Sequence, residues 1–336
     1  MARLRLTRQQ ILAFRRDVGA LDDRLPEGRR SLRRAAWAGL QDSMPRAAVF
    51  SIHARVEGTG PTTWEDPSLV QLWGPRFSAY VVAARDLPVF SLGRLPTDAK
   101  GRRLAYDLAA RLEELLEGSS MTYVDAGRAL GEHPNRLRYA AATGSVVIRW
   151  DGARRPTIRT VPRPQVDPLD ARVELARRYL HVFGPATAET FSRWAGIAQR
   201  DAREAFDALA RSLTPVRTPV GDAWILTLDQ EAFRAPNRPA APARLLPSGD
   251  PYFLLQGDDR SILVPDDDRA RELWTSRVWP GAVLVDGEIV GTWRRADRVL
   301  TVTTWRRPSR AAREAVEGEA ASLPLLGGGP IVVRWE

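Results

Sequence analysis

Residues 105–161 constrain the fold of this chain more than any other segment. The stretch 105–117 spaces its leucines at i, i+4, i+7 and i+8, which predicts an amphipathic helix. Glycine-containing breaks then separate two shorter predicted helices at 122–130 and 135–143. Two β-rich segments follow, 146–150 and 157–161, and the Asp-Gly pair between them predicts a hairpin. Three helices followed by a hairpin form the order of a winged helix, a small fold that meets DNA.

The same order recurs further along the chain without an obvious sequence repeat. Helices are predicted at 170–183, 187–195 and 199–209, and a hairpin is predicted from 215–219 and 223–228. On the third of these helices Arg200 and Arg203 are outweighed by three acidic residues. We therefore expect the second unit to be a scaffold rather than a reader of the DNA groove.

The two ends of the chain differ in character. The first hundred residues read as mainly helical, with helices at 7–16 and 31–40, a helix or strand at 47–56, and a strand running into a helix at 77–86. After a proline- and alanine-rich linker at 237–247, strands are predicted at 252–256, 261–265, 282–293, 298–305 and 331–335, with one helix at 309–321. The fold class predicted is α+β: tandem winged helices with a β-rich C-terminal domain. The predicted domains are 1–103, 104–166, 167–236 and 237–336.

Positive charge is concentrated in two segments. Residues 128–165 carry eight arginines and two acidic residues, a balance of +6, and residues 291–313 carry seven arginines and one aspartate, again +6. The net charge is +9, so the rest of the chain sums to 9 − 12 = −3. The guanidinium group of arginine is planar and can bind a phosphate with two parallel hydrogen bonds. Two such clusters in an otherwise slightly acidic chain indicate a polyanionic partner.

Several classes of function are excluded or disfavoured by composition. The chain has no cysteine, which removes disulfides, thiolate nucleophiles, iron–sulfur clusters and Cys-ligated zinc. The three histidines lie far apart in sequence, so we expect no metal and no other cofactor. No apolar run approaches the roughly 18–20 residues that cross a bilayer, and the charged N-terminus lacks the apolar core of a secretory signal. We expect a cytoplasmic monomer that does not bind membranes.

Three further blocks resemble a known family. They are AWAGLQDSMPRAAVFSIHARV at 36–56, VQLWGPRFSAYVVAARD at 70–86 and VLVDGEIVGTWRR at 283–295. Together with the predicted winged helices, they make most of the chain similar to the AlkZ-like winged-helix DNA glycosylases. The resemblance implies hydrolysis of the N-glycosidic bond of alkylated purines, including bulky adducts and interstrand crosslinks.

The resemblance also implies which residues form the site. The family's catalytic motif, Gln-x-Gln or Gln-x-Asp, falls on Gln41, Asp42 and Ser43, so the glutamine is kept and the second catalytic position is a serine. A second block, usually Arg-Gly-Thr-Leu-His, stands here as residues 76–80, which would place Arg76, Ser78 and Tyr80 against the substrate. The family's histidine is therefore a tyrosine in this chain.

Such a site needs little acid catalysis, because an alkylated purine carries positive charge and leaves as a neutral base. Gln41 would position the attacking water by accepting and donating hydrogen bonds. Ser43 is a poor base at neutral pH, and Asp42, if the segment is extended, points away from both. We therefore expect weakened glycosylase activity, a shifted substrate or no activity. Lys100 is the only lysine, which disfavours a Schiff-base lyase step.

Double-stranded DNA is the expected partner. The predicted contacts are Arg136 and Arg138 on the recognition helix, Arg154 and Arg155 at the wing tip, and Arg294 and Arg295 at a hairpin turn. Two alternatives remain open. One is a non-catalytic DNA-binding protein, such as a regulator or a lesion binder, in which Gln41 is a buried cap or turn residue. The other is a protein–protein adaptor whose basic patches are incidental.

Overall fold

The structure is a computed structural model that describes residues 4–44, 46–152, 155–236, 238–327 and 329–336. Helices and strands alternate along these residues, and the strands form sheets of three, five and six members. The predicted α+β class is therefore confirmed. None of the helices in the described ranges combines the length and apolar character needed for a membrane span.

The N-terminal region contains more strand than the sequence predicted. Its helices are Arg8–Val18, Arg29–Ala35, Ala47–His53 and Leu87–Ser91. The first is capped by Thr7, as predicted, through a capping box with Gln10. The helix predicted over 31–40 ends at Ala35, because the chain turns at Gly39 with φ of +75°. A β-carbon at that glycine would lie 2.8 Å from the Phe90 ring, so the close approach requires glycine.

A six-stranded sheet joins this region to the helical unit that follows it. Its strands, in spatial order, are Leu40–Gln41, Ala79–Ala83, Leu69–Trp73, Val146–Arg149, Thr157–Thr160 and Ser120–Thr122. The central Ala79–Ala83 strand is buried along its whole length and pairs antiparallel with both neighbours. The strand predicted within 77–86 is therefore confirmed. Its pairing with Leu40–Gln41 places Gln41 on an edge strand of the sheet.

The first helical unit contains Ala99–Leu116, Tyr123–Ala129 and Pro134–Thr143. The third of these, where the sequence predicted a helix over 135–143, is a 3₁₀-helix. Leu137 and residues 140–143 are buried, while Arg136 and Tyr139, one 3₁₀ turn apart, are exposed. The tighter winding therefore puts an arginine and a tyrosine side by side on the outer face.

The second helical unit contains Pro168–Phe183, Ala188–Ala195 and Gln199–Leu209, followed by the strands Leu213–Thr218 and Gly221–Leu226. These elements agree with the predicted ones to within two residues. The N-terminal strand Leu4–Arg5 adds a third, parallel strand to this hairpin. Tyr179, Phe183, Phe191 and Trp194 pack together inside the unit, which accounts for its rigid core. The short helix Gln230–Arg234 follows.

The C-terminal sheet is built from Ala243–Leu246, Gly281–Val285, Glu288–Ala296, Val299–Thr304 and Val332–Trp335, in that spatial order. Arg310–Ala321 is the helix predicted at 309–321, and two shorter helices are Arg260–Leu263 and Asp267–Leu273. The strands predicted at 252–256 and 261–265 were wrong: the first segment is a turn and the second is mainly helical. Both are buried in the main core, and a short apolar run has the same appearance in a strand and in a buried turn. The predicted linker was also partly wrong, since Ala243–Leu246 is a buried strand.

Candidate active site

Gln41 lies at the end of the short edge strand Leu40–Gln41, directly opposite Tyr80 on the neighbouring strand. Its side chain is half-buried. The amide nitrogen Nε2 donates a hydrogen bond to Ser43 Oγ at 3.2 Å. The amide oxygen Oε1 is buried and has no hydrogen-bond partner among the described residues. A buried acceptor without a partner costs about 1–3 kcal/mol, and native proteins keep such exceptions mostly where a water or ligand is used.

A loop of the C-terminal domain packs directly against Gln41. Gly249 has φ of +77°, and a β-carbon added there would lie 3.0 Å from Cδ of Gln41. The next residue, Asp250, is fully buried and makes a two-point ion pair with Arg55, both contacts at 2.7 Å. The same carboxylate accepts a hydrogen bond from Ser51 Oγ at 2.7 Å. The loop is therefore fixed to the helix Ala47–His53, and Gly249 restricts the conformations open to the Gln41 side chain.

Asp42 has partners of its own, separate from the Gln41–Ser43 pair. Its carboxylate is buried, accepting the Ala48 N–H at 3.0 Å and Gln71 Nε2 at 2.6 Å. Burial raises the pKa of Asp42 to about 7, against the opposing effect of these two hydrogen bonds and of the Arg46 charge. The carboxylate therefore holds the backbone that follows the motif, and it lies away from the Gln41 amide.

Gln71 connects the motif to the hairpin at 146–160, and sequence reasoning missed it. Its Nε2 bonds to Asp42, while its Oε1 accepts the Trp150 N–H at 2.7 Å. Trp150 directly follows the strand Val146–Arg149, where the predicted wing loop begins. The side chain is buried in the middle of the strand Leu69–Trp73, a position for which the sequence predicts an apolar residue. The only signal of Gln71 in the sequence is a polar glutamine within a segment that otherwise reads as a buried strand.

Arg76 and Ser78 lie on a tight turn at the same end of the sheet as Gln41. Arg76 and Phe77 both have left-handed backbones, with φ of +53° and +57°, a conformation that costs non-glycine residues energy. The side chain of Arg76 is exposed and that of Ser78 is half-buried. Phe77 lies against Tyr139 of the 3₁₀-helix, with ring centroids 4.8 Å apart. The turn therefore brings the second sequence block next to the outer face of the first helical unit.

The structure corrects the substrate contact expected at Tyr80. The side chain has no exposed surface, and it is enclosed by Gly39 and Gly74, where added β-carbons would lie within 3.0 Å of its atoms. Burial raises its pKa to about 12, against the opposing effect of Arg76 and Trp194, which lie near the hydroxyl without forming a well-aligned hydrogen bond to it. Tyr80 is thus a core residue in this conformation.

The other predicted DNA contacts that the structure describes are exposed or half-buried. Arg136 is exposed beside Glu132, at 3.3 Å, and Arg138 is half-buried with its guanidinium 5.9 Å from the Trp73 ring. Arg155 is exposed, whereas Arg154 lies outside the described residues. Arg294 and Arg295 are exposed, but they lie on the strand Glu288–Ala296 and not in a turn as predicted. The turn that joins this strand to Val299–Thr304 comes later, at Asp297 and Arg298, and Asp297 has a left-handed backbone with φ of +52°.

In the described part of the chain, no group of three or more His, Asp or Glu side chains is placed to hold a metal ion. The groups shown next to Gln41 are the Ser43 hydroxyl, the Gly249 backbone and the paired strand position Tyr80. These groups contribute no strong base at neutral pH.

Comparison with known proteins gives this arrangement a family. The family model described as "DNA glycosylase AlkZ-like" matches residues 34–324. A Streptomyces sahachiroi protein described as "Interstrand DNA cross-link repair glycosylase" is 32% identical over 166 residues, which cover 48% of this chain and 44% of that protein. The match therefore spans less than half the length of that relative.

The fold agrees over nearly the whole chain. The solved structure of the Streptomyces sahachiroi DNA glycosylase AlkZ superposes with a TM-score of 0.79 at 20% identity, covering 99% of this chain and all of that one. The fold is thus shared, although the sequences have diverged. With most of its length matched by the family model, the chain belongs to the AlkZ-like DNA glycosylase family, as the resemblance indicated.

Proposed function

We propose that this chain is a monofunctional DNA glycosylase that hydrolyses the N-glycosidic bond of alkylated or crosslinked purines. Membership of the family supports the reaction class, and the printed description of the Streptomyces relative supports crosslinked DNA as a substrate. The observation that carries the proposal is the Gln41 amide, which holds Ser43 with its nitrogen while its oxygen has no partner among the described residues.

The chemistry proposed for the site requires only that a water be held near the sugar. Ser43 Oγ accepts the Gln41 Nε2 hydrogen, so it keeps its own hydrogen and a second lone pair for a water. Neither group removes a proton strongly at neutral pH. The positive charge of the alkylated base must therefore supply most of the driving force, and correct placement of the water supplies the rest. The single lysine, Lys100, leaves the chain without an obvious Schiff-base nucleophile.

The proposal includes a DNA-binding surface made by tandem winged helices. Each helical unit of the structure has three helices followed by a hairpin, which supports that assignment and the domain limits 1–103, 104–166, 167–236 and 237–336. Arg76, Ser78, Arg136, Arg138, Arg155, Arg294 and Arg295 are the proposed contacts, with Arg154 added from sequence alone. We propose that the protein acts as a monomer on double-stranded DNA, in the cytoplasm where bacterial chromosomes lie.

The test is base release from duplex DNA that carries 7-methylguanine or a bulkier 7-alkylguanine. Wild-type protein is expected to release free base and leave an abasic site, and Gln41→Ala is expected to lose the activity. Ser43→Asp restores the family's Gln-x-Asp pattern and is expected to accelerate release, since a positioned general base contributes roughly 10²–10⁴-fold. Ser43→Asn, a neutral residue of similar size, is the matched control. Background release by wild type and by Ser43→Asp on every adduct would refute the proposal.

A second candidate function is supported by two observations. The Gln41 oxygen is closed to solvent, and the nearest carboxylate, Asp42, is committed to Ala48 and Gln71. Both fit a non-catalytic lesion-binding protein. Tight, lesion-specific binding by wild type and Gln41→Ala alike, with no base release from either, would favour this reading.

A further inference from the structure

A basic pocket lies between the N-terminal region and the C-terminal sheet. It has a volume of about 150 Å³. Its charged lining residues are Arg46, Arg295, Arg298 and Asp297, and its apolar lining includes Phe50 and Leu325. Three arginines against one aspartate leave the pocket with a balance of +2.

Two of the arginines have hydrogen-bond donors to spare. Arg46 makes no hydrogen bond or ion pair with any described residue; its guanidinium lies 4.7 Å from the Trp64 ring. Arg295 gives one hydrogen bond, to the Asp297 carbonyl oxygen, and its guanidinium lies 5.8 Å from the Phe50 ring. Arg298 is held by the carbonyl oxygens of Leu326 and Gly329, both at 2.8 Å, and is the fixed wall of the pocket.

The position of Arg46 ties the pocket to the reaction site. It immediately precedes the helix Ala47–His53 and has a left-handed backbone, with φ of +67°. It follows Gln41 by only five positions, and its charge lowers the pKa of Asp42. The Trp64 ring, which also lies 5.0 Å from the Arg149 guanidinium, stacks on the Arg46 guanidinium and leaves its N–H groups free to donate to an anion.

We propose that this pocket binds one phosphodiester group of the DNA strand that carries the lesion, next to the nucleotide whose base faces Gln41. The phosphate accepts hydrogen bonds from Arg46 and Arg295, and the adjoining deoxyribose packs on Phe50 and Leu325. The inference rests on the proposed function for the identity of the strand. The pocket contacts backbone only, so it orients the sugar without reading sequence.

The test uses a duplex with a tetrahydrofuran abasic analogue, which binds without turnover. Single methylphosphonate groups, which lack the phosphate charge, are placed in turn at the three linkages on each side of the analogue, and affinity is measured for each duplex. One linkage is expected to weaken wild-type binding by about 10-fold, the effect of losing a charge-assisted hydrogen bond. For Arg46→Ala and Arg295→Ala the same replacement is expected to weaken binding by only about threefold, because one of the two arginine contacts is already gone, and for the double variant by less than about twofold.

Arg211→Ala is the matched control, since it removes one exposed arginine from the second helical unit. It is expected to keep the full 10-fold sensitivity. Arg46→Lys keeps the charge without the fork, and it is expected to fall between wild type and Arg46→Ala. Thermal denaturation of each variant checks that it is folded, and Arg295→Ala carries the test if Arg46→Ala is not.

Two results would overturn the pocket as a phosphate site. One is that each methylphosphonate weakens the binding of the pocket variants as much as it weakens wild-type binding. The other is that both pocket variants bind the unmodified duplex as tightly as wild type does. Binding of a phosphorylated peptide in preference to the duplex would overturn it equally. These outcomes are separable from base release. If the pocket variants lose their sensitivity to the methylphosphonate but the protein releases no base, the phosphate pocket is present without the proposed activity. If the protein releases base but the variants keep that sensitivity, the activity is present without the phosphate pocket.

Discussion

Replacing Asp42 with asparagine is expected to remove a pH dependence of stability that this one carboxyl group causes. Its pKa is about 7 in the folded protein and 3.8 without the fold, so between these values the folded state holds a proton that the unfolded state has lost. The folded state is therefore favoured at low pH. That advantage is fully present below about pH 4 and is lost as the pH rises to 7, after which it changes no further.

The size of the effect follows from the two pKa values. Each pH unit between them is worth about 1.4 kcal/mol, so the full passage from pH 4 to pH 8 costs about 4 kcal/mol. Asparagine cannot ionise, and its oxygen can still accept the Ala48 N–H. Its amide nitrogen would face Gln71 Nε2, so near pH 4 the variant is expected to be less stable by about 1–3 kcal/mol. The difference should close, or reverse, by pH 8.

Urea denaturation of wild type and Asp42→Asn at pH 4, 5, 6, 7 and 8 measures this difference directly. Other titrating groups, such as Asp259 with a pKa raised to about 6 by burial, are present in both proteins and cancel. The control is Asp66→Asn. Hydrogen bonds from Ser68 lower the pKa of Asp66, so its contribution is constant above pH 5 and is lost only on acidification. Parallel curves for wild type and Asp42→Asn between pH 4 and 8 would refute the burial argument.

Two further substitutions test the surroundings of the site. Gly249→Ala is expected to lower the free energy of unfolding by about 1–2 kcal/mol, from the left-handed backbone, and also to reduce base release, because the added carbon pushes on Gln41. Gly118→Ala, at φ of +82° with nothing within 4 Å, has the same backbone cost and should leave base release unchanged. Equal base release by Gly249→Ala and Gly118→Ala would count against the contact between Gly249 and Gln41. Tyr80→Phe removes a buried hydroxyl that makes no well-aligned hydrogen bond, although Arg76 and Trp194 lie near it, and is expected to raise the unfolding free energy by about 1 kcal/mol in a thermal melt. A loss of more than about 1 kcal/mol would show that the hydroxyl is bonded to one of them.

The elements that sequence predicted well are those with local signals. The Thr7 cap and the helix Gln199–Leu209 are defined by residues within one or two turns of each other, so pattern alone placed them. The segment 252–256 failed for the opposite reason. Its apolar residues are buried by contacts from other parts of the chain, and only those contacts decide between strand and turn.

The candidate site shows the same division. The motif beginning at Gln41 and the turn at Arg76 are contiguous in sequence, so resemblance to a family located both. Gln71 and Gly249 are defined by what they touch, and each touches the motif from a distant part of the chain. Tyr80 was misjudged because its enclosure depends on two glycines, Gly39 and Gly74, that carry no signal of their own. Sequence thus indicated the groups that we propose for the chemistry, while the groups that hold them in place came only from the fold.

A buried ion pair, Arg55–Asp250, lies near the uncharged Gln41 site, and its role follows from which segments it joins. Breaking a buried pair costs about 3–5 kcal/mol, yet such a pair adds little stability over apolar residues of similar size. The Arg55–Asp250 pair is better understood through its geometry, because it joins the helix after the motif to the loop that carries Gly249. On the opposite side, Asp42 and Gln71 join the motif to the hairpin that follows the first helical unit. The motif that begins at Gln41 therefore lies between the loop that carries Gly249 and the strand Leu69–Trp73, which is bonded to the hairpin at 146–160, so the orientation of Gln41 depends on both contacts being formed.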